Sequence, residues 1–181
     1  ILAATLWSTG GLFIKLLPLD AFSILFYRSF YAAIIFIIIF RKSLFRFNKL
    51  SLVSILFYAP LLIAFVTSTK LTTAANAIFL QYTAPAVVLL LEPYFIRTKL
   101  TKINIFTVVV CFAGMCLFFV EQFSQPDNWL GIWIAFFNGL ILAGFLIIQK
   151  MNKPEFLPGA VFLGNVVVCL ITLPWFIENP F

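Results

Sequence analysis

Seven apolar runs, each long enough or nearly long enough to cross a lipid bilayer, take up almost the whole of this chain. A transmembrane helix needs roughly 20 apolar residues to cross about 30 Å of hydrocarbon. Hydrophobic residues make up 64% of the 181 residues, more apolar surface than a water-soluble domain of this length can bury. We therefore predict an all-α integral membrane protein, a polytopic bundle of about seven transmembrane helices. The runs are residues 2–17, 21–40, 50–69, 72–96, 103–120, 129–149 and 156–177.

The loops between the runs alternate between strongly basic and nearly uncharged. Nine of the twelve Lys and Arg residues follow the second, fourth and sixth runs, within 41–49, 97–102 and 150–153. The positive-inside rule places these loops, and the N-terminus with them, in the cytoplasm. This distribution accounts for the net charge of +6 without a nucleic-acid partner. We expect a multi-pass protein of the cytoplasmic membrane, with the lipid bilayer as its surroundings.

Several kinds of chemistry are disfavoured by the residue types present. Histidine is absent, and Cys111, Cys116 and Cys169 all fall within apolar runs. We therefore expect no metal site, no cofactor and no disulfide. A membrane-embedded enzyme would need acids, His or Cys clustered at a rim, and the six acidic residues are scattered. The sequence argues against an enzyme.

Residues 121–128 form the most polar segment that is not basic, and we predict an outer linker there. Five runs precede it, within residues 1–120, and two follow it, within 129–181. Because five is odd, a second five-helix unit would enter from the other face, which gives the inverted-topology duplication common among secondary transporters. The sequence thus predicts one five-helix repeat and two helices of an incomplete second repeat. Because the chain opens at Ile1, we also expect that the start of its first helix is missing.

The fourth run is the most polar one. Thr72, Asn76, Phe79 and Thr83 recur at spacings of four, three and four, so they share one stripe of a helix. Polar side chains are costly against lipid, so this stripe should face the bundle interior or an aqueous cavity. Two interpretations remain open: the stripe lines a substrate site, or Asn76 and Gln81 only join helices by hydrogen bonds of about 0.6 kcal/mol each.

Pro85 and Pro60 are candidate hinges. Pro85 removes one backbone donor and frees a carbonyl near residue 81. A kink there would open space for a ligand or act as a hinge, and a static bend is equally consistent with the sequence. Pro60, in the third run, leaves the same alternatives.

Arg28 is the one basic residue well inside a run, about 10 Å from the outer end at 1.5 Å per residue. A cation at that depth costs several kcal/mol unless it snorkels, pairs or faces water. It therefore either attracts an anionic or carboxylate substrate, or reaches the outer interface or the carbonyls of a neighbouring helix. We interpret Lys15 as a snorkelling anchor and Glu92, near Arg97 and Lys99, as half of a structural ion pair.

Small residues form a ridge in the sixth run. Ala135, Gly139 and Ala143 recur every four residues, with Asn138 beside them. Small residues at this spacing let helix backbones approach closely. We predict a helix contact along this ridge.

The polar and small residues occur in an order that resembles a known family. The chain has Leu6-Trp7-Ser8 followed by Lys15, then Arg28, then Tyr82-Thr83-Ala84-Pro85, and Gly114 near the end of the fifth run. In these features it resembles the EamA family of the drug/metabolite transporter superfamily. The resemblance implies a ten-helix carrier of two inverted five-helix units, with a central cavity and alternating access. One departure is Thr98, at the position where the family usually has a glutamate.

From these features we expect a secondary transporter of small metabolites or drugs. Export is implied by the resemblance alone. The expected substrate-binding residues are Trp7, Arg28, Asn76, Tyr82 and Thr83, with Pro85 and Pro60 as hinges. The alternative is a membrane interaction or scaffold protein without a transport cycle, whose intramembrane polar groups would all be satisfied by neighbours.

Overall fold

The structure, a computed structural model, describes residues 2–97, 99–119 and 128–178. Those residues form eight α-helices and two short 3-10 helices. The 3-10 helices cover Arg41–Phe45 and Pro154–Phe156. The α-helices are α1 Leu2–Leu16, α2 Ala21–Phe40, α3 Lys49–Leu71, α4 Ala74–Gln81, α5 Ala84–Ile96, α6 Lys102–Phe119, α7 Trp129–Met151 and α8 Leu157–Glu178.

Five helical segments are long and apolar enough to cross a membrane, and they confirm five of the predicted runs. The first and fifth runs correspond to α1 and α6, which are helical but do not count among these five. The predicted linker over 121–128 lies almost entirely outside the described residues, as does Thr98. The five segments are Ala21–Phe40, Lys49–Leu71, Ala74–Ile96, Trp129–Met151 and Pro154–Glu178.

The fourth run differs from the single kinked helix that Pro85 suggested, because it folds as two helices. α4 ends at Gln81, and the Thr83 N–H bonds to the Leu80 carbonyl at 3.2 Å, which tightens the chain into a turn. Pro85 then lies in the first turn of α5, where a missing N–H costs nothing. Pro60, in contrast, lies inside α3, which is not interrupted.

α3 lies at the centre of the bundle and packs against α1, α2, α4, α7 and α8. Glycines on its neighbours allow this close packing. A Cβ on Gly131 of α7 would lie 2.9 Å from Leu71 Cβ, and one on Gly144 would lie 2.4 Å from the Phe57 ring. The buried apolar core beside α3 is formed by Ile14, Ile24, Leu25, Ala59, Leu62, Phe65, Val66 and Val168.

The predicted ridge on α7 is a helix contact, as expected. Ala135 and Ala143 are completely buried. Ala135 packs with Ala77 and Leu80 of α4, and Gly139 lies against the turn between α4 and α5. Small side chains therefore bring the α7 backbone directly against the interrupted helix.

Two ion pairs join the basic loops at one end of the bundle, here called the basic end. Arg46 pairs with Glu155 at 3.5 Å, and Glu92 pairs with Lys150. The second pair confirms the interpretation of Glu92, although its partner lies on α7 and not in the adjacent 97–102 loop. Each pair links segments far apart in sequence, so the basic end is tied together across the bundle.

At the opposite end, two lysines cap each other's helices. Lys15 Nζ, at the end of α1, donates to the Thr72 carbonyl at 2.7 Å and the Lys70 carbonyl at 3.3 Å. Lys70 Nζ, at the end of α3, donates to the Leu17 carbonyl at 2.7 Å. A cation at a helix C-terminus is favoured by the unpaired carbonyls and the helix dipole. Lys15 is exposed at the end of its span, as a snorkelling anchor would be. It also holds two helix ends together.

The carboxylate of Asp20 caps the N-terminus of α2, accepting hydrogen bonds from Phe22 N at 2.9 Å and Ser23 N at 3.1 Å. Partial desolvation raises the pKa of Asp20, but hydrogen bonds from Ser23 and Phe22 outweigh it and hold the pKa below its usual value. A depressed pKa means that the stabilisation is present above the unfolded pKa of about 3.9 and is lost as pH falls through the folded pKa.

We expect Asp20→Ala to lower the free energy of unfolding by about 1 kcal/mol at pH 7, because the cap is lost. The difference from wild type should shrink as pH falls below about 4, since the wild-type carboxylate is then protonated as well. Denaturant unfolding of the detergent-solubilised protein measures both values. Asp20→Asn is the control, since it keeps a capping oxygen without a titrating group. An Asp20→Ala effect that is the same at pH 3 and pH 7 would contradict this account.

Candidate functional site

The turn between α4 and α5 forms a polar site against α7. A Cβ on Gly139 would lie 2.2 Å from Thr83 Oγ1 and 2.9 Å from the Leu80 carbonyl oxygen, so the two backbones are in direct contact. Thr83 Oγ1 donates to the Leu80 carbonyl at 2.8 Å. Pro85 has no N–H to offer the Gln81 carbonyl. The helix interruption therefore brings backbone carbonyls and a hydroxyl group to the α7 interface.

Asn76 on α4 supplies a buried amide one turn before this point. It is 6% exposed, and its Nδ2 donates to Thr72 Oγ1 at 3.2 Å. Its Oδ1 is buried and has no hydrogen-bond partner among the described residues. Asn76 thus has an oxygen that can accept a further hydrogen bond.

Asn138 on α7 supplies a second buried amide. It is 0% exposed, and neither amide atom has a hydrogen-bond partner in the described part of the chain. Leaving a buried polar group unpaired costs about 1–3 kcal/mol, so a native example needs an explanation. The sequence analysis noted Asn138 only as a neighbour of the ridge. A lone amide within an apolar run was the feature that could have marked it as a site residue.

We call Asn76, the Leu80–Thr83 turn, Asn138 and Gly139 the broken-helix site. The α7 contacts fix its register, because Gly131 meets Thr72 and Gly139 meets Thr83. Amide, hydroxyl and carbonyl groups in an apolar surrounding can bind a polar solute through hydrogen bonds. No group of three or more His, Cys, Asp or Glu that could hold a metal occurs among the residues described.

The structure brings together only some of the predicted substrate residues. Asn76 and Thr83 both belong to the broken-helix site. Tyr82 is 53% exposed in the turn, and the Trp7 side chain lies outside the described part of α1. Arg28 belongs to a different region of the bundle, where it interacts electrostatically with Tyr58 of α3.

Tyr58 and Asn165 are polar residues that sequence reasoning missed. Asn165 is 1% exposed and donates from Nδ2 to Tyr58 Oη at 3.1 Å, which joins α8 to α3. A lone asparagine within the last apolar run was the available signal. The partner was not foreseeable, because the two residues are far apart in sequence.

Several apolar helices of spanning length, packed through small residues around α3, define a polytopic helical membrane protein. The chain matches the EamA-like transporter family over residues 1–120, and it belongs to that family. The match covers α1 to α6, including the interrupted helix and Arg28. Comparison with curated proteins and with solved structures finds no match. The family confirms the resemblance seen in the sequence and makes this chain a membrane transporter of the drug/metabolite type.

Proposed function

We propose that this protein is a secondary transporter that exports small polar metabolites or drugs across the cytoplasmic membrane by alternating access. The observation that carries the proposal is the completely buried amide of Asn138, which has no hydrogen-bond partner among the described residues and precedes Gly139, the residue packed against the interrupted helix. Interrupted helices with freed carbonyls are the usual substrate sites of secondary transporters. A bound solute would give the buried amides the hydrogen-bond partners that they lack.

The proposed architecture is a ten-helix carrier made of two inverted five-helix repeats. Residues 1–120 form the first repeat, 121–128 the outer linker, and 129–181 part of the second. This requires seven spans in the present chain, with α1 and α6 added to the five described above. The basic end faces the cytoplasm in this arrangement, with the N-terminus on the same side. The odd number of spans before the linker supports the inverted repeat.

Within this carrier, the interrupted helix is the proposed moving part. Pro85 begins α5 directly after the turn, so the two halves of the fourth span can reorient there. Pro60, inside α3, is the second proposed hinge. Trp7 and Tyr82 are proposed to contact the solute. Gly11, one turn after Trp7, packs toward Ile78 of α4 and so places α1 beside the site.

A scaffold protein without a transport cycle is the competing interpretation. Its intramembrane polar groups would be satisfied within the bundle, as the Thr69 hydroxyl group is by the Phe65 carbonyl at 2.7 Å. Asn76 Oδ1 and both amide atoms of Asn138 depart from that pattern. These unsatisfied groups favour the transporter.

The test is transport by the purified full-length ten-helix carrier in proteoliposomes, screened with a labelled metabolite mixture with and without a proton gradient. We expect protein-dependent movement of at least one polar compound. Asn76→Ala should reduce that movement at least about tenfold, since it removes a hydrogen-bonding group from the site. If a correctly folded protein moves no compound in the mixture, the scaffold interpretation is favoured instead.

Asn138→Leu separates a substrate-binding role from a structural one. Because the Asn138 amide has no partner in the described part of the chain, leucine should leave the free energy of unfolding unchanged or raise it, while transport falls at least about tenfold. Asn165→Leu is the stability control. It removes hydrogen bonds to Tyr58 and Val161 and should lower the free energy of unfolding by about 1–3 kcal/mol. If both substitutions destabilise equally, Asn138 is structural.

A further inference from the structure

A second polar cluster lies in the apolar region where α2, α3 and α8 pack together. It consists of Arg28, Tyr58 and Asn165, and we call it the Arg–Tyr–Asn cluster. Asn165 Nδ2 donates to the Val161 carbonyl at 2.9 Å and to Tyr58 Oη at 3.1 Å. The cluster is separate from the broken-helix site and includes none of its residues.

The hydrogen bonds of Asn165 determine what Tyr58 can do. The Val161 carbonyl can only accept a hydrogen bond, so the amide atom facing it must be Nδ2 and not Oδ1. The second hydrogen of Nδ2 then points to Tyr58 Oη, which accepts it. The hydroxyl hydrogen of Tyr58 is left to donate, and no acceptor for it is found among the described residues.

The Tyr58 ring is held rigidly in this position. A Cβ on Gly164 would lie 2.3 Å from Tyr58 Cδ1, so the ring packs directly on the α8 backbone. The ring also contacts the Phe145 ring, with the centroids 5.4 Å apart. A donor fixed in this way loses little conformational entropy when a ligand binds.

Arg28 adds donors and a positive charge to the cluster. Its guanidinium group carries five N–H donors and no acceptor. The ion pairs found among the described residues are Arg46–Glu155 and Lys150–Glu92, so Arg28 is not paired with a described carboxylate. The Arg28 side chain is exposed on the described part of the bundle, so a solute can reach its donors.

We propose that the Arg–Tyr–Asn cluster binds the carboxylate group of a small solute. Arg28 and Tyr58 both offer hydrogen-bond donors that have no acceptor among the described residues, and a carboxylate can accept from both at once. The inference rests on the proposed function only in taking this solute to be the one transported.

Charge and depth select a monoanionic carboxylate over other anions. One arginine balances one negative charge, whereas a phosphate monoester would leave a net negative charge in an apolar region, which is costly. Arg28 also lies about 10 Å from the outer end of α2, below the level of lipid headgroups. A soluble carboxylate therefore fits the cluster better than an anionic lipid does.

The test compares benzoate with benzamide, which match in shape but differ in charge, using the thermal unfolding midpoint of the purified full protein. Benzoate should raise the midpoint and benzamide should not. Arg28→Gln should weaken benzoate binding at least about tenfold, because a charge-assisted hydrogen bond is lost. Tyr58→Phe should weaken it several-fold and is the second variant if Arg28→Gln does not fold. The matched controls Arg41→Gln and Tyr31→Phe should bind benzoate as wild type does.

Several outcomes would overturn the proposal. One is that benzoate and benzamide raise the unfolding midpoint equally, or that benzoate does not raise it. Another is that Arg28→Gln binds benzoate as tightly as wild type does. A rise in the unfolding midpoint with inorganic phosphate but not with benzoate would also overturn it. So would a loss of benzoate binding in the presence of phosphatidylglycerol but not of phosphatidylcholine. Transport in proteoliposomes is scored separately. Benzoate binding without transport of any compound would contradict the proposed transporter but not this inference. Transport that persists without Arg28-dependent carboxylate binding would contradict this inference but not the proposed transporter.

Discussion

Replacing Gly139 with alanine is expected to lower the free energy of unfolding by about 1–3 kcal/mol and to reduce transport at least about tenfold. The added Cβ would lie 2.2 Å from Thr83 Oγ1 and 2.9 Å from the Leu80 carbonyl oxygen. Thr83 can rotate away only by giving up its hydrogen bond to that carbonyl. The carbonyl itself is backbone and cannot move without altering the turn. α7 must therefore separate from the interrupted helix.

Gly10→Ala is the matched control for this substitution, since no atom of the described residues lies within 4 Å of a Cβ built there. Both changes add one methyl group to a helix, so their difference isolates the packing against the turn. The double variant Gly139→Ala/Thr83→Ala should recover part of the lost stability, because one of the two clashes is removed. Equal stability of Gly139→Ala and Gly10→Ala, in denaturant unfolding, would refute the close contact.

Asn152→Ala is expected to loosen the basic end and to lower the free energy of unfolding by about 1–3 kcal/mol, because it breaks a nearly buried hydrogen-bond network. Asn152 is 7% exposed. It accepts from Asn48 Nδ2 at 2.7 Å and donates to Ser51 Oγ at 3.3 Å, so it ties the end of α7 to the start of α3. Ser54, about one turn further into α3 than Ser51, is completely buried. A cysteine at position 54 should therefore react with a water-soluble thiol reagent about tenfold faster in Asn152→Ala.

The labelling experiment needs a background in which the three native cysteines are replaced. Asn128→Ala is its control, because Asn128 caps α7 at the opposite end and accepts from Leu130 N at 2.9 Å. Because the cap is lost, that change should lower the free energy of unfolding by about 1 kcal/mol, but it should not alter the rate of labelling at position 54. Labelling that is equally fast in both variants would show that Asn152 does not hold the basic end closed.

Much of the fold was predictable because lipid restricts what a spanning segment can be. Backbone groups in hydrocarbon must be satisfied within a helix, so apolar run length alone predicted the five confirmed spans. The stripe of Thr72, Asn76 and Thr83 was predicted to face the interior, and Thr72 and Asn76 are buried. The contact along the α7 ridge was likewise visible in the spacing of its small residues.

The packing partners were not predictable from one sequence. Lipid and protein interior are both apolar, so a spanning helix carries little sign of which face meets a neighbour. For this reason the position of α3 and the Tyr58–Asn165 hydrogen bond were missed. The interruption at Tyr82 and Thr83 was also missed, because a proline can either kink a helix or begin a new one. The substrate roles of Trp7, Arg28 and Tyr82 remain predictions.

The central position of α3 has a consequence for the biogenesis of the protein. α3 leaves the ribosome before α7 and α8, which supply much of its packing surface. The polar face of α3 carries buried hydroxyl groups at Ser51, Ser54, Ser68 and Thr69, and before α7 inserts Ser51 lacks the hydrogen bond from Asn152. Insertion and folding are thus separated in time, as in the two-stage view of membrane proteins. A chain stalled before α7 would present this polar face of α3 to the membrane's quality-control proteases.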